Sequence, residues 1–334
     1  MNPFYLRNFL KLNDFNKKDI LFLLNFSKKI KFKKSINKEK KFLKNKKIVL
    51  IFEKESTRTR CSFEAASFDQ GAHTTYLGPG STHLGYKESI EDTAETLGKI
   101  YDGILYRGHE HKKIKKIAKF SKIPVWNGLT NTYHPTQILS DLLTIKEIFP
   151  NKKINQIKIS YIGDSKNNIS HSLLEAANLL NFKLSLISPK EYLPKKKTLK
   201  KYLNIKNNVL LTDNIEQGIY KTDIIYTDVW ISMGEKIEQQ EEKINKLKFY
   251  QVNEKILYLS KNPCVKVFHC LPSLHNNKTK FGKNIIKKFN LKNGVEITNN
   301  VFNSNKKIIF LQSSNRLHVV KSLIINSLIQ KTNL

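Results

Sequence analysis

Short apolar strands alternate with helical segments along most of this chain, and this alternation limits the fold more than any other feature. The first series of strand candidates comprises Lys47 to Phe52, Thr74 to Leu77, Gly103 to Tyr106 and Val125 to Asn127. The second comprises Lys158 to Ile162, Lys183 to Ile187, Asp223 to Thr227 and Val265 to His269. Helical segments separate most of them, for example Ser89 to Lys99, Pro135 to Ile148 and Ser170 to Asn181. This pattern predicts parallel sheets with helices on both faces.

Two such series predict two α/β domains, which the 334 residues are enough to build with separate cores. We place the boundary near Pro150 to Gln156, which gives domains of residues 1–150 and 151–314. A last helix is predicted over Asn315 to Gln330, with one apolar face. We expect residues 315–334 to return to the first domain.

The cysteines and the apolar segments indicate the cellular compartment of the protein. Cys61, Cys264 and Cys270 are odd in number and match neither a zinc site nor a disulfide framework. Met1 to Phe15 lacks the apolar core of a signal peptide, and no other segment is long enough to span a bilayer. The sequence therefore predicts a soluble cytoplasmic protein that does not act at a membrane.

The formal net charge of +31 raises the question of a nucleic-acid partner. Lysine supplies most of this charge and is spread along the whole chain, together with many Asn and Ile residues. No basic-aromatic RNA module or DNA-reading helix accompanies the lysine runs. We therefore interpret them as solvated surface and predict no nucleic-acid partner, although a positive field helps to attract an anionic substrate.

A dense set of polar donors follows the first predicted strand. Its residues are Glu53-Lys54-Glu55-Ser56-Thr57-Arg58-Thr59-Arg60, and a helix is predicted from Cys61 to Gln70. Backbone N–H groups at a helix start favour anions, and Arg adds a planar fork that matches phosphate oxygens. The alternative is an ordinary Ser/Thr helix cap beside surface arginines, but capping needs only one hydroxyl.

Further polar residues lie at the ends of the next strands. Arg107 follows Tyr106, and the fourth strand leads to Asn127-Gly128 and then to His134-Pro135-Thr136-Gln137. Pro135 suits the first position of a helix, so His134 would cap it and Gln137 would lie one turn further on the same face. These two side chains can hold a carbonyl oxygen and an amino group. Taken alone, His134 could equally be a structural histidine.

Together these motifs resemble the aspartate/ornithine carbamoyltransferase family. The second half of the chain resembles its ornithine branch, through Asp228-Val229-Trp230-Ile231-Ser232-Met233-Gly234 and His269-Cys270-Leu271-Pro272. Asn167-Asn168 and Asn315-Arg316 fit the same branch. The resemblance extends from Phe4 to about Gln330. Several motifs in the right order are far more specific than any one of them.

The resemblance implies transfer of a carbamoyl group from carbamoyl phosphate to L-ornithine, giving L-citrulline and phosphate. Such a reaction requires no metal and no cofactor, and catalysis would rest on positioning and fixed charge. The residues that it implies for carbamoyl phosphate are Ser56, Thr57, Arg58, Thr59, His83, Lys87, Arg107, His134, Pro135, Thr136, Gln137, Cys270, Leu271 and Arg316. Among these, the implied catalytic residues are Arg107, His134, Cys270 and Arg316.

The resemblance also assigns the amino-acid substrate to the second domain, with ornithine bound by Asn168, Asp228, Ser232 and Met233. Asn168 would donate to the carboxylate and Asp228 would accept from the α-ammonium group. Asp228 could instead be a turn residue. Cys270 could instead be a nucleophile or, with His269, a metal ligand, but consecutive strand residues point to opposite faces and the transfer needs no covalent intermediate.

The loop from Gly80 to Ser89 resembles the segment that a neighbouring subunit lends to the site in this family. His83 occupies a position where the family usually has Gln, and Lys87 is a second candidate donor. The resemblance therefore implies a homotrimer with shared active sites. Two alternatives remain open at this point: an inactive binding protein with the same fold, and a different amine acceptor such as putrescine.

Overall fold

The computed structural model describes residues 2–80, 87–199, 202, 208–231, 237–291 and 293–332. The chain forms two compact units, one of Met1–Leu143 with Ser314–Leu334 and one of Thr144–Ser313. Each unit contains its own parallel sheet, so the predicted α/β class is confirmed. The domain boundary at residue 150 stays a prediction.

The first unit is built on a four-stranded sheet. Its strands are β1 (Lys47–Phe52), β2 (His73–Leu77), β3 (Gly103–Arg107) and β4 (Val125–Leu129). Its helices are α1 (Lys17–Ser35), α2 (Thr57–Gln70), α3 (Ile90–Ile100), α4 (His111–Ser121) and the first part of α5 (Pro135–Ile148). The strands are parallel in the order β2-β1-β3-β4, which places the carboxyl ends of β1, β3 and β4 side by side.

The second unit is built on a five-stranded sheet. Its strands are β5 (Lys158–Ile162), β6 (Lys183–Ile187), β7 (Val209–Thr212), β8 (Ile224–Thr227) and β9 (Lys266–His269). Its helices are α6 (Asn168–Leu180), α7 (Lys196–Leu199), α8 (Ile215–Ile219), α9 (Ile237–Leu247), α10 (Glu254–Leu259), α11 (Lys280–Lys288) and the first part of α12 (Asn299–Leu328). The parallel order β7-β6-β5-β8-β9 places the ends of β5, β8 and β9 together.

Apolar side chains of the strands and of the flanking helices form the core of the first unit. Val49, Ile51 and Ile104 pack with Leu97 of α3 and Ile117 of α4, all nearly or fully buried. Full burial of such side chains contributes about 1.5–3 kcal/mol each. The continuous apolar runs of β1 and β3 therefore lie inside a covered sheet, as the sequence pattern predicts.

Two polar side chains of α12 complete the edge of the second sheet. Asn305 Oδ1 accepts from the backbone N–H of Val267 at 3.0 Å, and Gln312 Oε1 accepts from that of His269 at 3.0 Å. β9 is an edge strand of the sheet, so these N–H groups have no strand partner on that side among the described residues. The two side-chain amides supply acceptors for these N–H groups.

One strand and two helix starts differ from the sequence predictions. Strand β7 was not predicted, because it is a four-residue edge strand that is only partly buried. The helix predicted from Cys61 already begins at Thr57, with Ser56 as its cap. The last helix begins at Asn299, so its predicted start at Asn315 is wrong, and Arg316 lies inside the helix rather than at its beginning.

Candidate functional site

The polar residues of the first unit lie where neighbouring strands end. Phe52 of β1 pairs in register with Arg107 of β3, and Ser56 follows four residues after Phe52. β4 leads through residues 130–134 to the start of α5 at Pro135. Ligand sites of open α/β sheets lie at this edge. The geometry therefore gathers Ser56, Arg107 and the start of α5 into one region of the unit.

The start of α2 supplies donors without opposing charge. The backbone N–H of Thr59 donates to Ser56 Oγ at 3.3 Å, so Ser56 is the N-cap. The first turn contains Arg58 and Arg60 and no acidic residue. Helix N-termini stabilise anions, and here no carboxylate competes for that role. The capping interpretation thus holds for Ser56 alone and does not account for the other hydroxyls.

Thr59 joins two arginines that are far apart in sequence. Its Oγ1 accepts from Arg107 Nη1 at 3.1 Å and from Arg316 Nη2 at 2.7 Å. Thr59 is fully buried and Arg316 is 3% exposed. The hydroxyl therefore holds two guanidinium groups together, and their like charge makes the place strongly attractive for an anion.

Gly128 makes room for this arrangement. A Cβ atom at this position would lie 3.1 Å from Thr59 Cγ2 and 2.9 Å from Leu105 Cδ1. Both distances are shorter than ordinary van der Waals contacts, so a larger residue at this position would displace the side chain of Thr59 or of Leu105. The Asn127-Gly128 pair thus fits a close approach of β4 to α2.

His134 is neutral in this environment. It is 2% exposed, and burial, followed by the positive charges of Arg316, Arg107 and Arg58, lowers its pKa well below 6.5. A neutral imidazole can donate through one nitrogen to a carbonyl oxygen without carrying charge of its own. The structure therefore brings His134 close to three of the predicted phosphate ligands.

Glu53, to which the sequence analysis assigns no role, links β1 to the segment that follows β3 through its carboxylate. Its carboxylate accepts from Tyr106 Oη at 2.9 Å, from Lys113 Nζ at 2.8 Å and from the backbone N–H of His109 at 3.2 Å. Burial and the Glu53 charge raise the pKa of Tyr106 far above its ordinary value, so the phenol stays protonated and donates. The sequence does not distinguish Glu53 from Glu55, which lies two residues further on, so sequence reasoning missed it.

Two of the candidate ornithine residues, Asn168 and Asp228, lie near Tyr161. Tyr161 is fully buried on β5, and its hydroxyl donates to the backbone oxygen of Asp164 at 3.2 Å and accepts from Asn167 Nδ2 at 2.6 Å. Burial, then the charges of Asp228 and Asp164, raise its pKa well above 10.0. Asn167 also caps α6, whose first residue is Asn168. The structure thus brings Asp228 and Asn168 to the same end of the sheet.

Asp228 itself lies directly after β8. It is 9% exposed, and its Oδ1 accepts from the backbone N–H of Val229 at 2.8 Å. A buried carboxylate at a strand end is unlike a surface turn residue, which would be solvated.

A buried pair positions the segment that contains Cys270. His269 and Glu296 have fully buried side chains, and His269 Nε2 lies 3.1 Å from Glu296 Oε1. His269 Nδ1 accepts from the backbone N–H of Leu271 at 2.9 Å, so the ring proton lies on Nε2 and is donated to Glu296. Leu271 has a left-handed φ of 49°, and a cis peptide bond links it to Pro272. Sequence reasoning missed Glu296.

The remaining candidates fall into two groups. His83, Ser232 and Met233 lie outside the described residues, so their predicted roles stay predictions. Lys87 is exposed and lies just before Ser89, which caps α3. In the described part of the chain no group of three or more His, Cys, Asp or Glu is arranged to hold a metal ion. None of the described helices has the length and apolar character to cross a membrane.

Comparisons with known proteins agree with this geometry. Residues 7–147 match the family described as aspartate/ornithine carbamoyltransferase, carbamoyl-P binding domain. Residues 155–326 match its Asp/Orn binding domain. The two matches together cover most of the chain.

Relatives and solved structures lead to the same family. An ornithine carbamoyltransferase from Buchnera aphidicola subsp. Schizaphis graminum is 54% identical over 340 residues, covering 100% of both chains. The solved ornithine carbamoyltransferase from Pyrococcus furiosus has a TM-score of 0.86 at 33% identity, covering 98% of this chain and 99% of that one. The anabolic enzyme from Campylobacter jejuni has a TM-score of 0.82 at 33% identity, covering 95% and 97%. The chain therefore belongs to the aspartate/ornithine carbamoyltransferase family.

Proposed function

We propose that this chain transfers the carbamoyl group of carbamoyl phosphate to the side-chain amine of L-ornithine, giving L-citrulline and phosphate. The observation that carries the proposal is the group of Arg58, Arg107 and Arg316 around the buried, neutral His134. Three guanidinium groups attract a phosphate dianion, and the neutral imidazole suits an uncharged carbonyl oxygen. The full-length similarity to ornithine carbamoyltransferases supports the same reaction.

We assign the phosphate of carbamoyl phosphate to the start of α2 and to Arg107. Ser56, Thr57, Arg58 and Thr59 surround that helix end, where backbone N–H groups and arginine charge act together. As the amine attacks the carbamoyl carbon, charge grows on the carbonyl oxygen and then on the leaving phosphate. Fixed guanidinium groups stabilise both, and they need little rearrangement because Thr59 already orients two of them.

We assign ornithine to the second unit. Asn168 would donate to its carboxylate, and Asp228 would accept from its α-ammonium group. Burial of Asp228 strengthens that ion pair, and the nearby Tyr161 stays uncharged. This pairing favours an acceptor with both an α-ammonium and a carboxylate over putrescine. Ser232 and Met233 remain further candidates for the same ligand.

Cys270 and Leu271 are proposed to contact the carbamoyl group through the segment that His269 and Glu296 hold. Cys270 is 9% exposed, and His269 donates to Glu296 rather than acting as a base beside the thiol. A covalent role for the thiol is therefore not part of the proposal. Arg316 would approach the carbamoyl group from its place on α12.

We further propose a homotrimer in which each active site receives the loop of residues 80–89 from a neighbouring subunit, with His83 and Lys87 as its donors. A ring of three head-to-tail contacts closes with threefold symmetry. We also propose that the enzyme works in the cytoplasm, in arginine biosynthesis, without a nucleic-acid or membrane partner.

The test is an acceptor comparison. Purified protein is given carbamoyl phosphate with ornithine, aspartate or putrescine, and kcat/KM is measured for each product. We expect citrulline from ornithine and little product from the other two. A higher kcat/KM with aspartate or putrescine would overturn the choice of ornithine, and no transfer to any amine would favour the inactive binding protein.

A further inference from the structure

Asp141 is a buried carboxylate that has no role in the chemistry described above. It lies on α5 one turn after Gln137 and is 2% exposed, and Gln137 itself is 1% exposed. Gln137 Nε2 donates to Asp141 Oδ1 at 2.9 Å. The opposite end of the same amide, Gln137 Oε1, accepts from Arg316 Nη1 at 3.3 Å.

These two neighbours fix which way the Gln137 amide faces. An ionised carboxylate only accepts hydrogen bonds, and a guanidinium only donates them. Only one of the two amide orientations satisfies both, with the NH₂ group toward Asp141 and the oxygen toward Arg316. Turning the amide over would place oxygen against oxygen on one side and N–H against N–H on the other, and both groups are buried.

The fixed oxygen faces the region where the arginines converge. Arg316 Nη2, on the same guanidinium, donates to Thr59 Oγ1, which also accepts from Arg107. A carbonyl-type oxygen has two lone pairs, so Gln137 Oε1 can accept a second hydrogen bond from a ligand there. A ligand with an NH₂ group donates this second hydrogen bond, whereas a ligand with a methyl group at the same place leaves the oxygen without it.

We propose that Asp141 is a positioning residue that makes the site selective for the carbamoyl group over an acyl group of the same shape. It acts by holding the Gln137 amide with its oxygen toward the ligand. The proposal rests on the proposed function, because it takes carbamoyl phosphate as the substrate. Acetyl phosphate is the matched comparison ligand, since a methyl group replaces the amino group and the phosphate is unchanged.

The experiment measures Kd for carbamoyl phosphate and for acetyl phosphate by isothermal titration, in wild type and in two variants. Asp141→Leu removes the hydrogen-bond acceptor at similar size. Asp141→Asn keeps the size, but its amide can either accept from Gln137 or donate to it. Asp92→Asn, on the exposed side of α3, is the control. We expect the wild-type preference for carbamoyl phosphate to fall about tenfold in Asp141→Leu and less in Asp141→Asn, as for one lost hydrogen bond.

The ratio of the two Kd values separates positioning from general damage. We expect Kd for acetyl phosphate to stay within about twofold of wild type in both variants, because the phosphate contacts are untouched. A folded Asp141→Leu that keeps the wild-type ratio, or that weakens both ligands equally, would overturn the proposal. If that variant does not fold, an unchanged ratio in Asp141→Asn overturns it. A wild type without preference for carbamoyl phosphate would instead count against the proposed function.

Discussion

Replacing Glu296 by Gln should destabilise the second unit strongly, although the two side chains have nearly the same shape. Glu296 Oε1 accepts from His269 Nε2 at 3.1 Å, from Ser273 Oγ at 2.9 Å and from the backbone N–H of Leu274 at 2.7 Å. Its side chain is fully buried. One carboxylate oxygen thus fixes both ends of the segment that contains Cys270 and Leu271.

The size of the effect follows from these contacts. Hydrogen bonds to a charged group contribute about 1.5–3 kcal/mol, roughly twice the contribution of neutral ones. Gln keeps an acceptor oxygen but loses the charge, and it brings an NH₂ group to the place of Oε2, which has no hydrogen-bond partner among the described residues. An unsatisfied buried donor costs about 1–3 kcal/mol more. We therefore expect a loss of about 3 kcal/mol in the free energy of unfolding.

The pH dependence gives a second signature. Burial alone raises the pKa of Glu296, but the hydrogen bonds from His269 and from the backbone N–H of Leu274 lower it below 4.5. A carboxylate with a lowered folded pKa stabilises the protein above its unfolded pKa, and this contribution is lost as the pH falls through the folded pKa. Wild type should therefore lose its advantage over Glu296→Gln as the pH falls below about 4.5.

The assay is urea unfolding followed by circular dichroism at pH 7 and at several lower values. Glu216→Gln, at an exposed position of the same unit, is the matched control and should change stability by less than about 0.5 kcal/mol. Glu296→Gln within about 1 kcal/mol of wild type at pH 7 would refute the argument, since three hydrogen bonds to a buried carboxylate should contribute more. So would a large difference that persists unchanged at low pH.

Three further predictions concern the first unit. Arg58→Lys should weaken kcat/KM for carbamoyl phosphate at least about tenfold, because an ammonium cannot make a bidentate phosphate contact; unchanged kinetics in a folded variant would remove Arg58 from the site. The His134 ring signal, identified in NMR spectra by its loss in His134→Asn, should not titrate between pH 6.5 and 8, since its pKa lies well below 6.5; a midpoint in that range would contradict a neutral imidazole. Inactive Arg107→Ala and Lys87→Ala, mixed after dissociation, should regain activity, and no recovery despite proven mixing would show that each site is built from one chain.

The fold was largely accessible from sequence because both sheets are made of short apolar runs with matching spacing. The eight strand candidates correspond to β1–β6, β8 and β9. The strand that was missed, β7, is an edge strand of four residues that is only partly buried. The first half of α12 was missed because Asn305 and Gln312 look polar in sequence. They are buried only because each accepts from the backbone of β9, a contact that no periodicity reveals.

The candidate site was accessible only in part. Motif residues such as Thr59 and His134 follow strand ends, which sequence analysis can locate. Their partners are far away along the chain: Arg316 reaches Thr59, and Glu296 reaches His269. Glu53 and Asp141 act through other side chains, so nothing in their local sequence indicates a function. The tertiary fold decides these pairings.

The transfer itself is the most direct test of the account. Wild type is incubated with carbamoyl phosphate labelled with ¹³C and with ornithine, and the products are followed by NMR together with released phosphate. We expect labelled citrulline and phosphate to appear in equal amounts, with the rate lost in Arg107→Ala. Phosphate release without labelled citrulline, or citrulline formed equally fast by that variant, would contradict the central claim.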